Sequence, residues 1–311
     1  MKPYRGLDQL PAAPRERCVA LGFFDGVHRG HARILRSLRE TARAEGRGSL
    51  AVTFHPHPLS VVRPERAPRL LCSTEERLGL LAGQGLDELL LLPFTPELAA
   101  RSYEDFTREL LVGRLGMRHL VAGYDFHLGA GRRGSAEAMT ALGAQLGFRV
   151  DVVAPVYRDE RPVSSTVIRQ RLEAGRMEEV ADLLGHPYRI AGPVIRGEGR
   201  GRGLGFPTAN LGPQPAEKLL PPEGVYRAEA RWEGSPPRPG LLNLGRAPSF
   251  RDRFVPELHL PGFSGDLYGK TLEIDVLQWI RPERRFPDAE ALARQIREDL
   301  KVLDDGKRGN S

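Results

Sequence analysis

The chain has little cysteine: Cys18 and Cys72 are the only two in 311 residues. That excludes a disulfide framework and makes a reducing cytoplasm the expected setting. No apolar run approaches the ~18 residues a membrane helix needs, so no membrane partner is expected. The opening residues, Met1-Lys2-Pro3-Tyr4-Arg5-Gly6-Leu7-Asp8, lack the apolar centre of a secretory signal. Aromatic residues make up only 7% of the sequence. The basic excess behind the formal charge of +6 is nearly all arginine and is spread along the chain. A nucleic-acid surface would need that charge clustered and interleaved with rings, so nucleic acid is not an expected partner. Acidic nucleotides account for local arginines equally well, because the guanidinium fork matches phosphate. Internal repeats are absent too, which excludes solenoids.

What is present is a globular composition, 40% apolar and 28% charged, with length for two domains. In the first half, short apolar runs alternate with helical periodicity. Cys18–Leu21, Ser49–Phe54, Leu86–Leu92, Arg118–Ala122 and Phe148–Val153 read as strands. Between them, helices are predicted after His31 (Ile34, Leu35, Leu38), from Ser73 with Glu76 at capping-box spacing, over Tyr103–Leu115 and over Ser135–Leu146. Strand–helix alternation predicts an α/β fold on a parallel sheet.

The densest signal lies between the first strand and the first helix, in Gly22-Phe23-Phe24-Asp25-Gly26-Val27-His28-Arg29-Gly30-His31. Glycines at such a turn let backbone approach a ligand, and a helix N-terminus offers free N–H groups and a positive dipole end. His28 and His31, three apart, are expected on one face beside a phosphoryl chain. Metal binding and a purely structural role are the competing readings of the two histidines. After the second strand comes His55-Pro56-His57-Pro58, where the prolines predict an extended, rigid exit that turns both histidines to the strand's carboxyl end. Further on, Ser164, Ser165 and Thr166 crowd a helix start and Arg169 follows one turn later. These groups would cap the helix and also hold phosphate; an ordinary capped surface helix is the alternative. Gly175 ends that helix, and Met177–Leu184 is a short helix closing the half.

At Gly185-His186-Pro187 the composition shifts. Gly197, Gly199, Gly201, Gly203 and Gly205 recur at every second position, read as a mobile flap carrying Arg200 and Arg202, or else as a linker. Strand-like runs then dominate: Leu204–Leu211, Gly224–Trp232, Gly240–Leu244, Phe254–Leu260 and Leu272–Ile280, as in a small antiparallel barrel. A last helix capped by Asp288 carries Leu292, Ile296 and Leu300 on one side, and the tail from Asp304 to Ser311 is expected to fray. Gly265-Asp266-Leu267-Tyr268-Gly269-Lys270-Thr271 imitates a P-loop but is one residue short between its glycines and precedes a strand, so a hairpin turn is predicted.

The first motif resembles that of nucleotidyltransferases that attack the α-phosphate of ATP and release pyrophosphate. The two halves in this order resemble the bacterial bifunctional riboflavin kinase/FAD synthetases. The likeness rests on Gly22–His31, Thr53–Pro58, Gly123-Tyr124-Asp125-Phe126 and Ser164–Arg169, then on Gly203–Asn210, Gly224-Val225-Tyr226, Asn243-Leu244-Gly245, Glu257-Leu258-His259 and Asp266–Gly269. It implies a Rossmann-like FMN adenylyltransferase domain over residues 1–185 and a six-stranded riboflavin kinase barrel with a terminal helix over 186–311. The implied substrates are riboflavin, FMN and ATP, with Mg²⁺ for both steps. His28, His31, Arg169 and Glu257 would be catalytic, Glu257 as the base on the riboflavin hydroxyl. Gly22, Phe23, Asp25, Gly26, Gly30, Ser164, Ser165, Thr166, Gly203, Gly205, Pro207 and Thr208 would bind ATP. His57, Asp125, Phe126 and Tyr268 would bind flavin, while Thr208 and Asn210 would hold the metal. Three departures stand out: Pro248-Ser249 for Pro-Thr, Gly262 for Asp, and Leu128 for Phe. A single-activity FAD synthetase and a flavin- or nucleotide-binding regulator with one degenerate half are the competing functions, and the oligomeric state, monomer or weak oligomer, is left open.

Overall fold

A computed structural model describes residues 3–11, 15–197, 200–247 and 253–305. The chain divides into two compact units, Met1–Ser165 and Thr166–Ser311. The first unit's sheet strands are β1 (Tyr4–Arg5), β2 (Arg17–Leu21), β3 (Gly48–His55), β4 (Glu88–Pro93), β5 (Met117–Gly123) and β8 (Arg149–Val153). Two hairpins, β6 (His127–Leu128) with β7 (Gly134–Ser135) and β9 (Tyr157–Arg158) with β10 (Arg161–Pro162), sit outside the sheet. The sheet order is β1-β4-β3-β2-β5-β8, every pair parallel. Helices α1 (Arg29–Ala44), α2 (Pro58–Val62), α3 (Thr74–Ala82), α4 (Pro96–Ala100), α5 (Tyr103–Asp105) and α6 (Ala136–Leu146) connect the strands.

Strands buried on both faces explain the uninterrupted apolar runs. Val19, Leu50, Val52, Leu90 and Leu120 pack on one face with Leu111, Met139 and Leu142. Their neighbours Cys18, Ala20, Ala51, Leu89 and Val121 pack on the other with Leu35, Leu38 and Leu81. The chain leaves β2 toward β3 and β4, then returns to lay β5 on β2's other side. The order reverses between β2 and β5, and the crevice at their carboxyl ends is where an open α/β sheet takes its ligand.

In the second unit, α7 (Ser165–Glu173) leads from the junction into α8 (Met177–Leu184) and then into six strands. These are β11 (Tyr188–Ile195), β12 (Thr208–Leu211), β13 (Gly224–Arg231), β14 (Arg238–Ala247), β15 (Arg253–His259) and β16 (Thr271–Pro282). They close as an antiparallel barrel in the order β11-β12-β15-β14-β13-β16. Ile190, Ala228, Ala230, Ile274 and Val276 fill it. On the opposite face Arg189 pairs with Glu273 at 2.6 Å and with Asp275 at 2.8 Å, and Arg231 pairs with Asp275. The terminal helix α10 (Ala289–Asp305) packs Leu300 and Leu303 on Val225 and Leu241. Its N-cap is Asp288, whose carboxylate accepts from the Ala291 N–H at 2.7 Å.

Several expectations change. The exit from β3 is extended for one residue only, because Pro58 opens α2 with His57 as its N-cap; proline's fixed φ and missing N–H suit a first helical turn. Tyr103–Leu115 is α-helical over three residues and π-helical from Phe106 to Arg114. Residues 260–270 form no hairpin turn, since β15 and β16 are not neighbours and the segment crosses from one to the other. The glycine run folds at Arg200–Gly203 into a single turn, α9. Gly199, the Arg200 and Arg202 side chains, Pro248, Ser249 and the tail beyond Asp305 lie outside the described residues.

Candidate active sites

The turn after β2 is built from strained backbone held by distant partners. Phe24 has φ 56°, Gly26 71° and Val27 42°; a β-branched residue at positive φ is a genuine outlier. Five contacts hold it there. The Gly22 N–H donates to the Val52 carbonyl at 3.1 Å, and the Thr53 hydroxyl to the Phe23 carbonyl at 2.9 Å. The buried Asp25 carboxylate accepts the Leu71 N–H with both oxygens, at 2.9 and 3.1 Å. The Gly26 N–H reaches Cys72 Sγ at 3.1 Å, and the Ser165 hydroxyl donates to the Asp25 carbonyl at 3.3 Å. Phe24 and Val27 are meanwhile buried in the core shared with α1 and α3.

This turn delivers His28 as the N-cap of α1, its Nδ1 accepting the His31 N–H at 3.4 Å. When Nδ1 of a neutral imidazole accepts, Nε2 is the nitrogen that carries the proton. The two imidazoles stack at 3.6 Å and 17°, while Phe24 meets His31 edge-on at 5.3 Å. Burial, then the charge of His28, holds the His31 pKa well below the ordinary histidine value, so His31 is neutral at pH 7. Its Nδ1 is enclosed without a hydrogen-bond partner. Gly30 leaves room beside the pair: a Cβ there would lie 3.1–3.2 Å from the His28 ring, a tight contact.

Phe23 is sandwiched. The Arg77 guanidinium lies 3.8 Å over its ring, and His57 meets it edge-on at 4.3 Å. Arg77 is fully buried and donates to the Phe54 carbonyl at 2.7 Å. His55 instead contacts the Thr74 hydroxyl at 3.0 Å. Past β5, Asp125 is exposed, and Phe126 packs partly against the core. Ser164 and Ser165 are half-buried at the end of the first unit. Thr166, exposed, and Arg169, half-buried, lie on α7. The sequence reading missed Cys72, Leu71 and Arg77; the only local signal was the capping box that opens α3.

A second polar site lies on the barrel. Thr208 is paired with His259 across β12 and β15, and Asn210 with Glu257; alternation puts all four side chains on one face. Asn210 is 8% exposed. Gly197 lies against it so closely that a Cβ would fall 2.4–2.9 Å from its amide, which is why glycine stands there. His259 Nδ1 is 2.9 Å from the Pro207 carbonyl. Gly203, Gly205 and Pro207 are exposed beside it. Tyr268 is exposed, with the Arg196 guanidinium 5.7 Å from its ring.

Among the described residues, Cys18, Glu45 and His119 are the one group of His, Cys and carboxylate side chains within metal-binding distance of each other. Glu45 is already paired with Arg47 and Arg149. Two guanidiniums on the central carboxylate oppose a cation, so this group is read as an ion-pair network.

Residues 10–167 match the family model described as FAD synthetase, and residues 184–305 the one described as riboflavin kinase. The bifunctional riboflavin kinase/FMN adenylyltransferase of Escherichia coli (strain K12) is 36% identical over 96% of both chains. That of Pseudomonas fluorescens is 38% identical over 96% of both. The Bacillus subtilis (strain 168) protein is 33% identical over 90% of this chain and 89% of its own. A crystal structure described as a macrolide-efflux protein from Streptococcus pneumoniae superposes with a TM-score of 0.87 at 27% identity, covering 100% of this chain and 99% of that one. Among the described residues no helix is long and apolar enough to cross a membrane. On matches that run through both units, the chain belongs to the bifunctional riboflavin kinase/FMN adenylyltransferase family.

Proposed function

We propose that this chain makes FAD from riboflavin in two ATP-dependent steps, in the cytoplasm: the barrel unit phosphorylates riboflavin to FMN, and the sheet unit adenylylates FMN. The observation that carries the reading is that each unit has its own cluster of polar side chains of a kind suited to phosphate: stacked His28 and His31 at the β2–α1 turn, and Asn210 opposite Glu257 on the barrel. A regulator with one degenerate half would need only one of the two sets intact.

In adenylyl transfer an FMN phosphate oxygen attacks the α-phosphorus of ATP and pyrophosphate leaves, with no covalent enzyme intermediate. The enzyme's task is alignment and charge stabilisation. His28 and His31 supply N–H donors to the phosphate oxygens. Because His31 is neutral, it donates without having to be protonated. The α1 N-terminus adds its dipole. Ser164, Ser165, Thr166 and Arg169 take the triphosphate tail, and His57, Asp125 and Phe126 the flavin.

In the kinase step the riboflavin 5′-hydroxyl attacks the γ-phosphorus and ADP leaves, Glu257 accepting the hydroxyl proton. Thr208 and Asn210 stand two residues apart on one face and offer hard oxygens, a donor pair that suits Mg²⁺. When bound, that ion supplies charge neutralisation on the transferring phosphates.

Two variants test the assignment. His28→Ala with His31→Ala should abolish FAD formation and spare FMN formation. Glu257→Gln should lower FMN formation by roughly 10²–10⁴-fold, the usual contribution of a general base, and leave FAD formation from supplied FMN intact. A Glu257→Gln loss below about fivefold would remove that residue from the mechanism.

A further inference from the structure

Three barrel strands lie side by side as β12, β15 and β14, and in their register Asn210 opposes Glu257 and Glu257 opposes Asn243. Directly opposed side chains leave the sheet on the same face with Cβ atoms about 4.5–5.5 Å apart. The adjoining row, Ala209, Leu258 and Leu242, points the other way, and Leu258 and Leu242 are buried in the barrel. That burial fixes the register, because a one-residue slip would expose both leucines. The Glu257 carboxylate is therefore flanked on both sides by amides.

Asn243 is out of place by strand propensity. It stands in the run Leu241-Leu242-Asn243-Leu244, whose leucines are all buried, and asparagine is disfavoured in strands. Its other cross-strand neighbour, on β13, is the buried Val225, which packs with Leu241 and Leu303 of α10. On that side its directly opposed neighbour is apolar. Its polar cross-strand neighbour is Glu257. An aliphatic residue would serve the strand and the α10 contact better if nothing used the amide.

We infer that Asn243 is a positioning residue of the kinase site, its side-chain NH₂ donating to the Glu257 carboxylate and aiming it toward the Asn210 side of the row. This rests on the reading of Glu257 as the base. A glutamate has three side-chain torsions, and a hydrogen bond from the strand opposite removes the freedom to swing away from the hydroxyl it serves. The amide touches no substrate in this arrangement, so its effect falls on turnover rather than on substrate binding.

The test uses the full-length protein with riboflavin, ATP and Mg²⁺. Asn243→Leu keeps the branching at Cγ and the number of heavy atoms and loses the donor. It should lower kinase kcat by about ten- to a hundredfold, the value of a hydrogen bond to a charged group, with KM for riboflavin and ATP within about twofold. Asn243→Thr returns a donor on a strand-forming residue and should recover kcat to within about threefold of the parent. In a double-mutant cycle, Asn243→Leu added to Glu257→Gln should cost less than about twofold more, because the amide then has no carboxylate to aim. Adenylylation of supplied FMN by each variant reports folding. The inference is overturned if Asn243→Leu leaves kcat unchanged, raises KM instead, or adds its full cost on top of Glu257→Gln. If Glu257→Gln alone leaves kinase turnover intact, the base assignment falls first, and that outcome is read from the single variant.

Discussion

Replacing Asp25 by alanine should disable adenylyl transfer through the turn it braces: the residue, expected from the resemblance to bind ATP, is instead buried with its carboxylate on the Leu71 N–H. Both carboxylate oxygens accept the buried Leu71 N–H, 46 residues away. A hydrogen bond to a charged group is worth about 1.5–3 kcal/mol, and the orphaned N–H carries its own penalty of similar size. The same contact holds Phe24 and Val27 at positive φ, a strain of order 1–3 kcal/mol per residue that relaxes once the brace is gone. Relaxation moves the N-cap and with it His28 and His31. If about 2–3 kcal/mol of transition-state alignment is lost, the rate falls by roughly 30- to 150-fold. The assay is initial-rate FAD formation from FMN and ATP, with riboflavin phosphorylation by the same preparation as control. Asp25→Asn, which keeps an acceptor oxygen, should fall less. An alanine variant that adenylylates within about threefold of the parent would refute the bracing argument.

Two other outcomes follow from the same physics. The folded-state pKa of His31 lies well below its unfolded value of 6.5, so the unfolded chain takes up the proton first as pH falls. Its contribution to stability is complete above pH 6.5 and is lost below it; the urea midpoint of the first unit should drop on acidification, and His31→Gln should reduce that drop. Helix α8 buries Met177, Val180, Leu183 and Leu184, and the turn before it places Gly175 against Trp279 of β16. A fragment of residues 166–311 should therefore phosphorylate riboflavin and melt higher than one of 186–311. Equal melting temperatures would free the barrel from its leading helices.

The strands of the sheet were legible because burial on both faces leaves apolar runs that turn residues cannot interrupt, as in Cys18–Leu21 and Ser49–Phe54. The His28–His31 pair was legible because its spacing is local. What could not be read are contacts whose partners are distant in sequence. Asp25 carries no sign that it serves Leu71, and Asn243 none that it opposes Glu257, since register is set by pairing across strands rather than along them. β1 was missed because two residues pairing with β4 have no period of their own. The π-helical stretch at Phe106–Arg114 kept a helical pattern of apolar residues, and only its hydrogen bonds, such as Leu115 N–H to the Leu110 carbonyl at 2.8 Å, set it apart. β3 ends at His55 and His57 caps α2, because its proline neighbour began a helix where an extended exit was expected.

The central claim is that one chain carries two phosphate chemistries at separate sites, and ATP labelled at different phosphorus atoms tests it most directly. The purified full-length protein is given riboflavin, Mg²⁺ and ATP carrying label at the γ- or the α-phosphorus, and flavins are separated over time. The account predicts FMN first, carrying the γ label and no α label, then FAD carrying one phosphorus from each position, with pyrophosphate released. FMN that accumulates without FAD, or FAD formed only when FMN is supplied, would contradict it.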